Sequence, residues 1–394
     1  IGSLAHWLIG SLAHWLIGSL AHWLIGSLAH WGLNIDTCYY GVFSMVLPLV
    51  ASAVLSFGFC PLIIQICKKF NIYDEVDPRK IHKGKIPRLG GIAVFASVLI
   101  VWFSILFFKC VKVEFYGSLF AGFGIILLFG VMDDLLNLRA KMKLVVQIAA
   151  AMIVSLSPNH FNTLFMWKFP PFVGEAVTFI WIISIVNAFN LIDGMDWVCG
   201  GISFFSCLAI GIVFKLQNNN MFLFYFIVCA ALAGFLFWNK PDAKIFLGDG
   251  GSQALGFIVA VAPLFCTSDS KFKVIQFPVM LLLCSIPLTD VIAAVWRRTR
   301  EHRKIFAPDR AHIHHKLLNI GFSKPAAIFF LLAIQAAVCL AVVISYFMTV
   351  RNGIILLSFC LLFVWGIFIT FHYLNRAVNI SHKGLLEDHP MEEH

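Results

Sequence analysis

Carboxylates in this chain gather where long apolar runs end. Asp133-Asp134 closes one run, Asp193 and Asp196 follow another, and Asp249 stands just before a third. An ionisable group at membrane depth costs at least ~2.5 kcal/mol on insertion scales, so such residues mark a site. Several carboxylates at one membrane face point to a divalent cation with oxygen ligands. The adjacent Asp133 and Asp134 repel each other unless a cation or base neutralises them. Such a pair suits metal binding, or proton abstraction from an acceptor phosphate. In NAFNLIDGMDWVCGG (187–201), Asn187, Asn190, Asp193 and Asp196 recur every three residues. A helix there would gather them into one polar ridge, suited to nucleotide or metal contacts. In KIFLGDGGSQALGF (244–257), Asp249 lies among Gly248, Gly250 and Gly251. Glycines let backbone approach a ligand, and a new helix N-terminus favours anions. Asp249 therefore reads as a Mg²⁺ ligand shared with a pyrophosphate, and Phe246 as an aromatic that stacks on a base.

Two basic loops complete the set. KKFNIYDEVDPRKIHKGKIPRLGG (68–91) mixes Asp74, Glu75 and Asp77 with Arg79, Lys80, His82, Lys83, Lys85 and Arg88. It reads as a phosphate-facing loop, although a solvated basic loop has the same composition. RRTREHRKIFAPDRAHIHHKLLNIGFSK (297–324) places His312, His314 and His315 after Asp309-Arg310. No cysteine or fourth ligand accompanies the histidines, so pyrophosphate recognition led by Arg310 fits better than zinc. Asp290, near the end of the preceding run, is placed to pair with this basic cluster.

The elements that must position these residues are apolar helices. Of the 394 residues 60% are hydrophobic and 12% charged, and the mean hydropathy is +0.89. Apolar runs of membrane-crossing length fall at 41–67, 90–108, 116–132, 143–157, 174–189, 198–214, 221–237, 251–266, 274–295, 325–350 and 353–372. Only helices or closed barrels satisfy their backbone groups in lipid. The expectation is an all-α, polytopic integral membrane protein with about eleven transmembrane helices and cytoplasmic catalytic loops. Alternate loops hold 22 and 7 of the Lys and Arg residues. That asymmetry places loops 68–89 and 297–324 in the cytoplasm, the N-terminus outside and the C-terminus inside. The carboxylates then fall on the cytoplasmic face, although they took no part in the count. The net charge of +9 fits anionic lipids or phosphorylated substrates; no soluble basic domain exists to hold nucleic acid. The eleven cysteines form no C-x-x-C pair.

Residues 1–32 repeat IGSLAHWL nearly four times. A period of eight advances ~80° per repeat on a helix and makes no straight stripe. The segment reads as an artefact or a hydrophobic leader, followed by a multi-span domain (33–372) and a polar tail (373–394).

DPRKIHKGKIPRLGG, Asp133-Asp134, NAFNLIDGMD, FLGDGGS and APDRAHIHH, in that order, resemble the motifs of the polyprenyl-phosphate N-acetylhexosamine-1-phosphate transferases. The resemblance covers about 41–372. It implies transfer of a sugar-1-phosphate from a UDP-sugar to a membrane polyprenyl phosphate, with release of UMP and a requirement for Mg²⁺ or Mn²⁺. By motif, Asp249 resembles the main metal ligand, assisted by Asn190. Asp133 and Asp134 match the catalytic pair near the lipid phosphate, and Asp193 and Asp196 match residues near the nucleotide, Asp193 being the rival catalytic group. Asn187 belongs to the same substrate-facing motif. Phe246 matches an aromatic on uracil; Arg310, His312, His314 and His315 match a pyrophosphate-binding loop. The pattern of Arg79, Lys80 and His82, with the APDRAHIHH form, resembles the branch using UDP-N-acetylglucosamine. Trp197 departs from the family, where a small Gly is common. The implied partners are UDP-N-acetylglucosamine, undecaprenyl phosphate and membrane lipids, at a bacterial inner membrane, as the first membrane step of a cell-surface polysaccharide; homodimers are common in related enzymes. A nucleotide-sugar or anion transporter is the alternative of another class, but transporters place polar groups near the midplane on broken helices.

Overall fold

A computed structural model describes residues 35–73, 86–107, 117–164, 167–265, 270–302 and 312–388. Lys80, His82, Arg310 and the 1–32 repeat lie outside the described residues. Among the described residues thirteen α-helices follow in order: α1 (Ile35–Phe70), α2 (Gly90–Phe107), α3 (Gly117–Leu136), α4 (Ala140–Ser155), α5 (Pro171–Ile192), α6 (Val198–Leu216), α7 (Phe222–Asn239), α8 (Gly248–Val261), α9 (Ser270–Leu283), α10 (Ser285–Arg300), α11 (Ile313–Asn319), α12 (Lys324–Phe347) and α13 (Val350–Asp388). A two-residue antiparallel ladder, Thr163–Leu164 with Trp167–Lys168, interrupts the helical order between α4 and α5. The chain divides at Val50, within α1. Of the first unit only the start of that helix is described, and the second unit holds all that follows.

Over its described residues each of the eleven apolar runs is mainly helical, which makes this a multi-pass membrane protein. Eight helices among the described residues are long and apolar enough to cross a bilayer: α1, α2, α3, α5, α6, α7, α12 and α13. The run read as one span over 274–295 is a pair, α9 and α10, bent by 72°; counted as one crossing, it makes nine. Pro287 explains the break, because it lacks the N–H that would bond Leu283 O. Ser206 Oγ (3.1 Å) and Gln335 Nε2 (3.0 Å) donate to that carbonyl instead, as an apolar surrounding demands. The remaining two runs give the shorter α4, of 16 residues, and α8, of 14.

α8 is the axis of the second unit. Every residue of it except Asp249 is buried, against α3, α5 and α2. Its sequence GDGGSQALGFIVAV is dominated by small side chains, which let lipid-embedded helices approach through their backbones. A Cβ on Gly250 would stand 2.6 Å from the Gly130 carbonyl carbon of α3, and one on Gly91 would stand 2.5 Å from Gly251 Cα. These contacts bring the end of α3 and the start of α2 onto the first turn of α8. Gly250→Ala should therefore destabilise the bundle by about 1–3 kcal/mol, since backbone cannot yield as a side chain can. A lowered unfolding midpoint in detergent micelles is the expected result; an unchanged midpoint would mean that α3 slides aside freely.

Candidate active site

The first turn of α8 begins at Gly248, whose φ of +83° suits only glycine; a Cβ there would also meet Arg88 O at 2.0 Å. The Asp134 carboxylate, carried in from α3, accepts from Asp249 N (2.8 Å) and Gly250 N (3.0 Å). It therefore caps α8 from a different helix and fixes the backbone that carries Asp249. The amides expected to face a pyrophosphate are, at these two positions, occupied by Asp134. Segment 87–91 is stitched alongside: Phe246 N donates to Pro87 O (2.7 Å), Gly90 N to Phe246 O (2.8 Å) and Gly91 N to Leu247 O (2.7 Å). Arg88 donates to Asp134 O and to Asn137 Oδ1.

Lys143, in the first turn of α4, joins the carboxylates. Its Nζ lies 2.6 Å from Asp133 Oδ2 and 2.6 Å from Asp249 Oδ2. Asp133 is buried, while Asp249 remains 43% exposed and open to a substrate. Asp133 Oδ1 accepts from Leu138 N (2.9 Å), and Oδ2 is held by the ion pair with Lys143. Asn190, near the end of α5, donates through Nδ2 to Asp249 Oδ1 (3.2 Å) and Ser252 Oγ (3.1 Å). Three sequence-predicted residues (Asp133, Asn190 and Asp249) thus converge with one unpredicted lysine. Two carboxylate oxygens aimed at one ammonium, beside an amide, form a hard-oxygen cradle for positive charge. No set of three or more His, Cys, Asp or Glu residues shares a metal geometry among the described residues. The cradle fits Mg²⁺, which takes one or two protein carboxylates and completes its shell with phosphate and water.

The four-residue ridge is only partly realised, because α5 ends at Ile192. Asn187 faces inward and pairs with Gln147 (2.7 Å), which in turn donates to Gln253 (3.0 Å). This amide chain joins α4, α5 and α8 next to the site. Asp193 is the C-terminal cap of α5, three residues past Asn190. Asp196 turns toward α12, where Lys324 Nζ sits 2.6 Å from Oδ2. Trp197 adopts φ +67°, a left-handed conformation that costs a bulky residue roughly 1–2 kcal/mol and explains why a Gly suits this position. Its N–H bonds to Asn239 Oδ1 (2.9 Å) and its indole Nε1 to Leu236 O (2.6 Å). The indole lines an apolar cleft of about 350 Å³ with Phe205, Pro241 and Pro325.

The histidines form a second cluster. His312 caps α11, its ring stacked with that of His314 at 5.9 Å, and His315 lies 4.4 Å from His314. Burial, reinforced by His315 and His312 against the pull of Asp290, pushes the His314 imidazole down to about 3. That ring is neutral at physiological pH, and its Nδ1 is buried without a hydrogen-bond partner among the described residues. A Cβ on Gly194 would stand 2.8 Å from the His314 ring, so the bare glycine lets the histidine loop pack on the turn between Asp193 and Asp196.

Comparison with known proteins identifies the family. The family model described as Glycosyl transferase family 4 matches residues 116–267. A Bacillus subtilis (strain 168) relative named "Probable undecaprenyl-phosphate N-acetylglucosaminyl 1-phosphate transferase" is 30% identical over 316 residues, covering 78% of this chain and 85% of the relative. This chain belongs to glycosyl transferase family 4. Two further relatives carry the name "Undecaprenyl-phosphate alpha-N-acetylglucosaminyl 1-phosphate transferase". That of Escherichia coli (strain K12) is 29% identical, with 76% of this chain and 83% of the relative covered. That of Salmonella typhimurium is 30% identical, with the same shares of 76% and 83%. The segment matched by the glycosyl transferase family 4 model contains Asp133, Lys143, Asn190, Asp193 and Asp249, whereas Asp290 and the three histidines lie beyond it.

Proposed function

We propose that this chain transfers N-acetylglucosamine-1-phosphate from UDP-N-acetylglucosamine to undecaprenyl phosphate, releasing UMP. The carrying observation is the convergence of Asp133, Asp249, Asn190 and Lys143 at one end of a membrane-embedded bundle whose relatives bear that activity in their names. The Lys and Arg asymmetry supports a cytoplasmic site in a bacterial inner membrane, with the N-terminus outside.

In the reaction an oxygen of the acceptor phosphate attacks the β-phosphorus of the donor. The bond from that phosphorus to the bridging oxygen breaks, and the oxygen leaves with UMP. Two anions must meet, so positive charge has to be held in advance where charge develops. Asp249 and Asn190, with Asp133 Oδ2 converging on the same point, are the residues that would hold Mg²⁺ or Mn²⁺. Such an ion, when bound, supplies charge neutralisation to the diphosphate. Lys143 screens the repulsion between Asp133 and Asp249 and retains a third N–H for a phosphate oxygen. Asp134, with both oxygens bonded to α8 amides, is a positioning group, which leaves Asp133 as the group that orients or deprotonates the acceptor. Phe246, Asp193 and the histidines serve the nucleotide and diphosphate, joined by Lys80, His82 and Arg310.

The test is a donor panel with undecaprenyl phosphate and Mg²⁺, scored by UMP release. UDP-N-acetylglucosamine should be turned over in preference to UDP-N-acetylgalactosamine and UDP-glucose, and EDTA should stop the reaction. Counterflow of nucleotide sugar in proteoliposomes with no UMP formed would replace this reading by a transporter.

A further inference from the structure

Two rungs of polar side chains run inward from the cation cradle. Lys143 and Gln147 are one turn apart on α4, Asn190 and Asn187 on α5, and Asp249 and Gln253 on α8, so each pair shares a helix face. The outer rung joins Lys143, Asp249 and Asn190, and the inner rung joins Gln147, Gln253 and Asn187. Asp249 is open, whereas Gln147 and Gln253 are only 4% and 5% exposed. One backbone atom sets the orientation of all three inner amides. Ile183 O can only accept, so the Asn187 atom 2.8 Å away is Nδ2. That nitrogen also donates to Gln147, whose atom at 2.7 Å is therefore Oε1. The other end of Gln147 is then Nε2, and the Gln253 atom that it meets at 3.0 Å is Oε1. Gln253 Nε2 is left pointing away from the amide chain with two N–H donors. It meets no acceptor among the described residues, yet neighbouring atoms do not seal it off. A donor left open inside an apolar bundle is costly and is explained by a ligand that completes it.

We infer that Gln253 Nε2 is a contact for the phosphate of the polyprenyl acceptor. The inference rests on the proposed transfer reaction and adds a residue that holds its membrane-borne substrate. A phosphate oxygen accepts from an amide N–H, and the charge on the phosphate strengthens the bond. Placement separates the two substrates. A nucleotide sugar is soluble and reaches the open face of Asp249 from water, whereas the acceptor phosphate is carried on a chain embedded in lipid. Gln253 lies one turn inside the cradle, on the bundle side of Asp249. Asp133 belongs to the outer rung through Lys143, so a phosphate bridging the two rungs meets the group assigned to orient or deprotonate it.

Gln253→Met removes the donor and keeps an unbranched side chain of similar length, while Gln147 Nε2 retains Asn187 Oδ1 at 3.4 Å. It is compared with wild type and with Gln147→Met, which breaks the same amide pair from the other side but leaves Gln253 Nε2 in place. Steady-state UMP release is measured with undecaprenyl phosphate varied as a mole fraction of detergent micelles and, separately, with UDP-N-acetylglucosamine varied. Thermal unfolding is followed with and without undecaprenyl phosphate, in the absence of donor. A hydrogen bond to a charged group accounts for about 10–100-fold in binding, so Gln253→Met should raise the acceptor KM by that factor. The donor KM and kcat should stay within about 2-fold of wild type. Gln147→Met should raise the acceptor KM less than about 3-fold, because a freed Gln253 amide still turns its nitrogen to an anion at only a rotamer cost. Undecaprenyl phosphate should raise the unfolding midpoint of wild type and Gln147→Met, and that of Gln253→Met much less. An unchanged acceptor KM in Gln253→Met, an equal rise in both KM values, or an equal rise in both variants would make Gln253 a packing residue and overturn the inference. Loss of the midpoint shift in Gln253→Met alone would uphold the contact even with no UMP formed, so failure of the transfer reading and failure of the contact are distinguished.

Discussion

Asn in place of Asp249 should reduce UMP release by roughly 10²–10³-fold or more while leaving the fold in place. The change is isosteric, and the packing of α8 uses the Asp249 backbone rather than its carboxylate. Asp249 N would still donate to Asp134, and an Asn Oδ1 would still accept from Asn190 Nδ2. What disappears is the charge on the most exposed carboxylate of the cradle. Lys143 then keeps only Asp133 as its partner, and a divalent cation loses its accessible anionic ligand. Because the charge matters most as the diphosphate is cleaved, kcat should fall further than donor affinity. The measurement is steady-state UMP release beside thermal unfolding of the same preparation. Near-normal turnover at saturating Mg²⁺ would remove Asp249 from the centre of the reaction.

Hydropathy made the helices legible, because each run reports its own burial. It could not report where a run breaks. The 72° bend between α9 and α10 depends on Pro287 and on Ser206 and Gln335 from other helices, which answer the freed Leu283 carbonyl. The carboxylates of the site were legible for a related reason: acids at the ends of apolar runs are too costly to be incidental. Lys143 was not, since it entered the reading as one of many basic loop residues. A signal was present, because a lysine in the first turn of a helix opposes the macrodipole and calls for a nearby anion. Gln147, one turn on, shares its face and supports that reading. Asp134 shows the opposite limit. Its type and position look like those of Asp133, and only the tertiary contact with α8 separates a capping carboxylate from a reactive one. Asn187 and Asp196 are similar cases: Asn187 is drawn into an amide chain by Gln147 of α4, and Asp196, past the early end of α5, into a link to α12.

Lys143→Met should have an effect close to that of Asp249→Asn on turnover, but with a different relation to metal. The substitution keeps the aliphatic stem and removes the charge that lies 2.6 Å from both Asp133 and Asp249. Two carboxylates then face each other without a counter-charge, one of them nearly buried. Removing one member of a buried pair costs about 3–5 kcal/mol, and the partial exposure of Lys143 and Asp249 brings the expected loss of stability down to about 1–2 kcal/mol. UMP release should fall by roughly 10²-fold, because the fixed positive charge proposed to face the diphosphate is gone. Lys143→Arg should recover part of it. The informative measurement is the unfolding midpoint as Mg²⁺ is titrated. A ligand stabilises the state that binds it in proportion to its occupancy. If Asp133 and Asp249 hold the ion as proposed, in wild type it would have to displace the ammonium from the two carboxylates, whereas in Lys143→Met it would meet them unpaired. The Met variant should therefore gain more stability from Mg²⁺, and at lower concentration, than wild type, while Asp249→Asn should gain little. Identical Mg²⁺ responses in all three proteins would separate the Lys143 cradle from the metal site and assign the lysine to substrate phosphate alone.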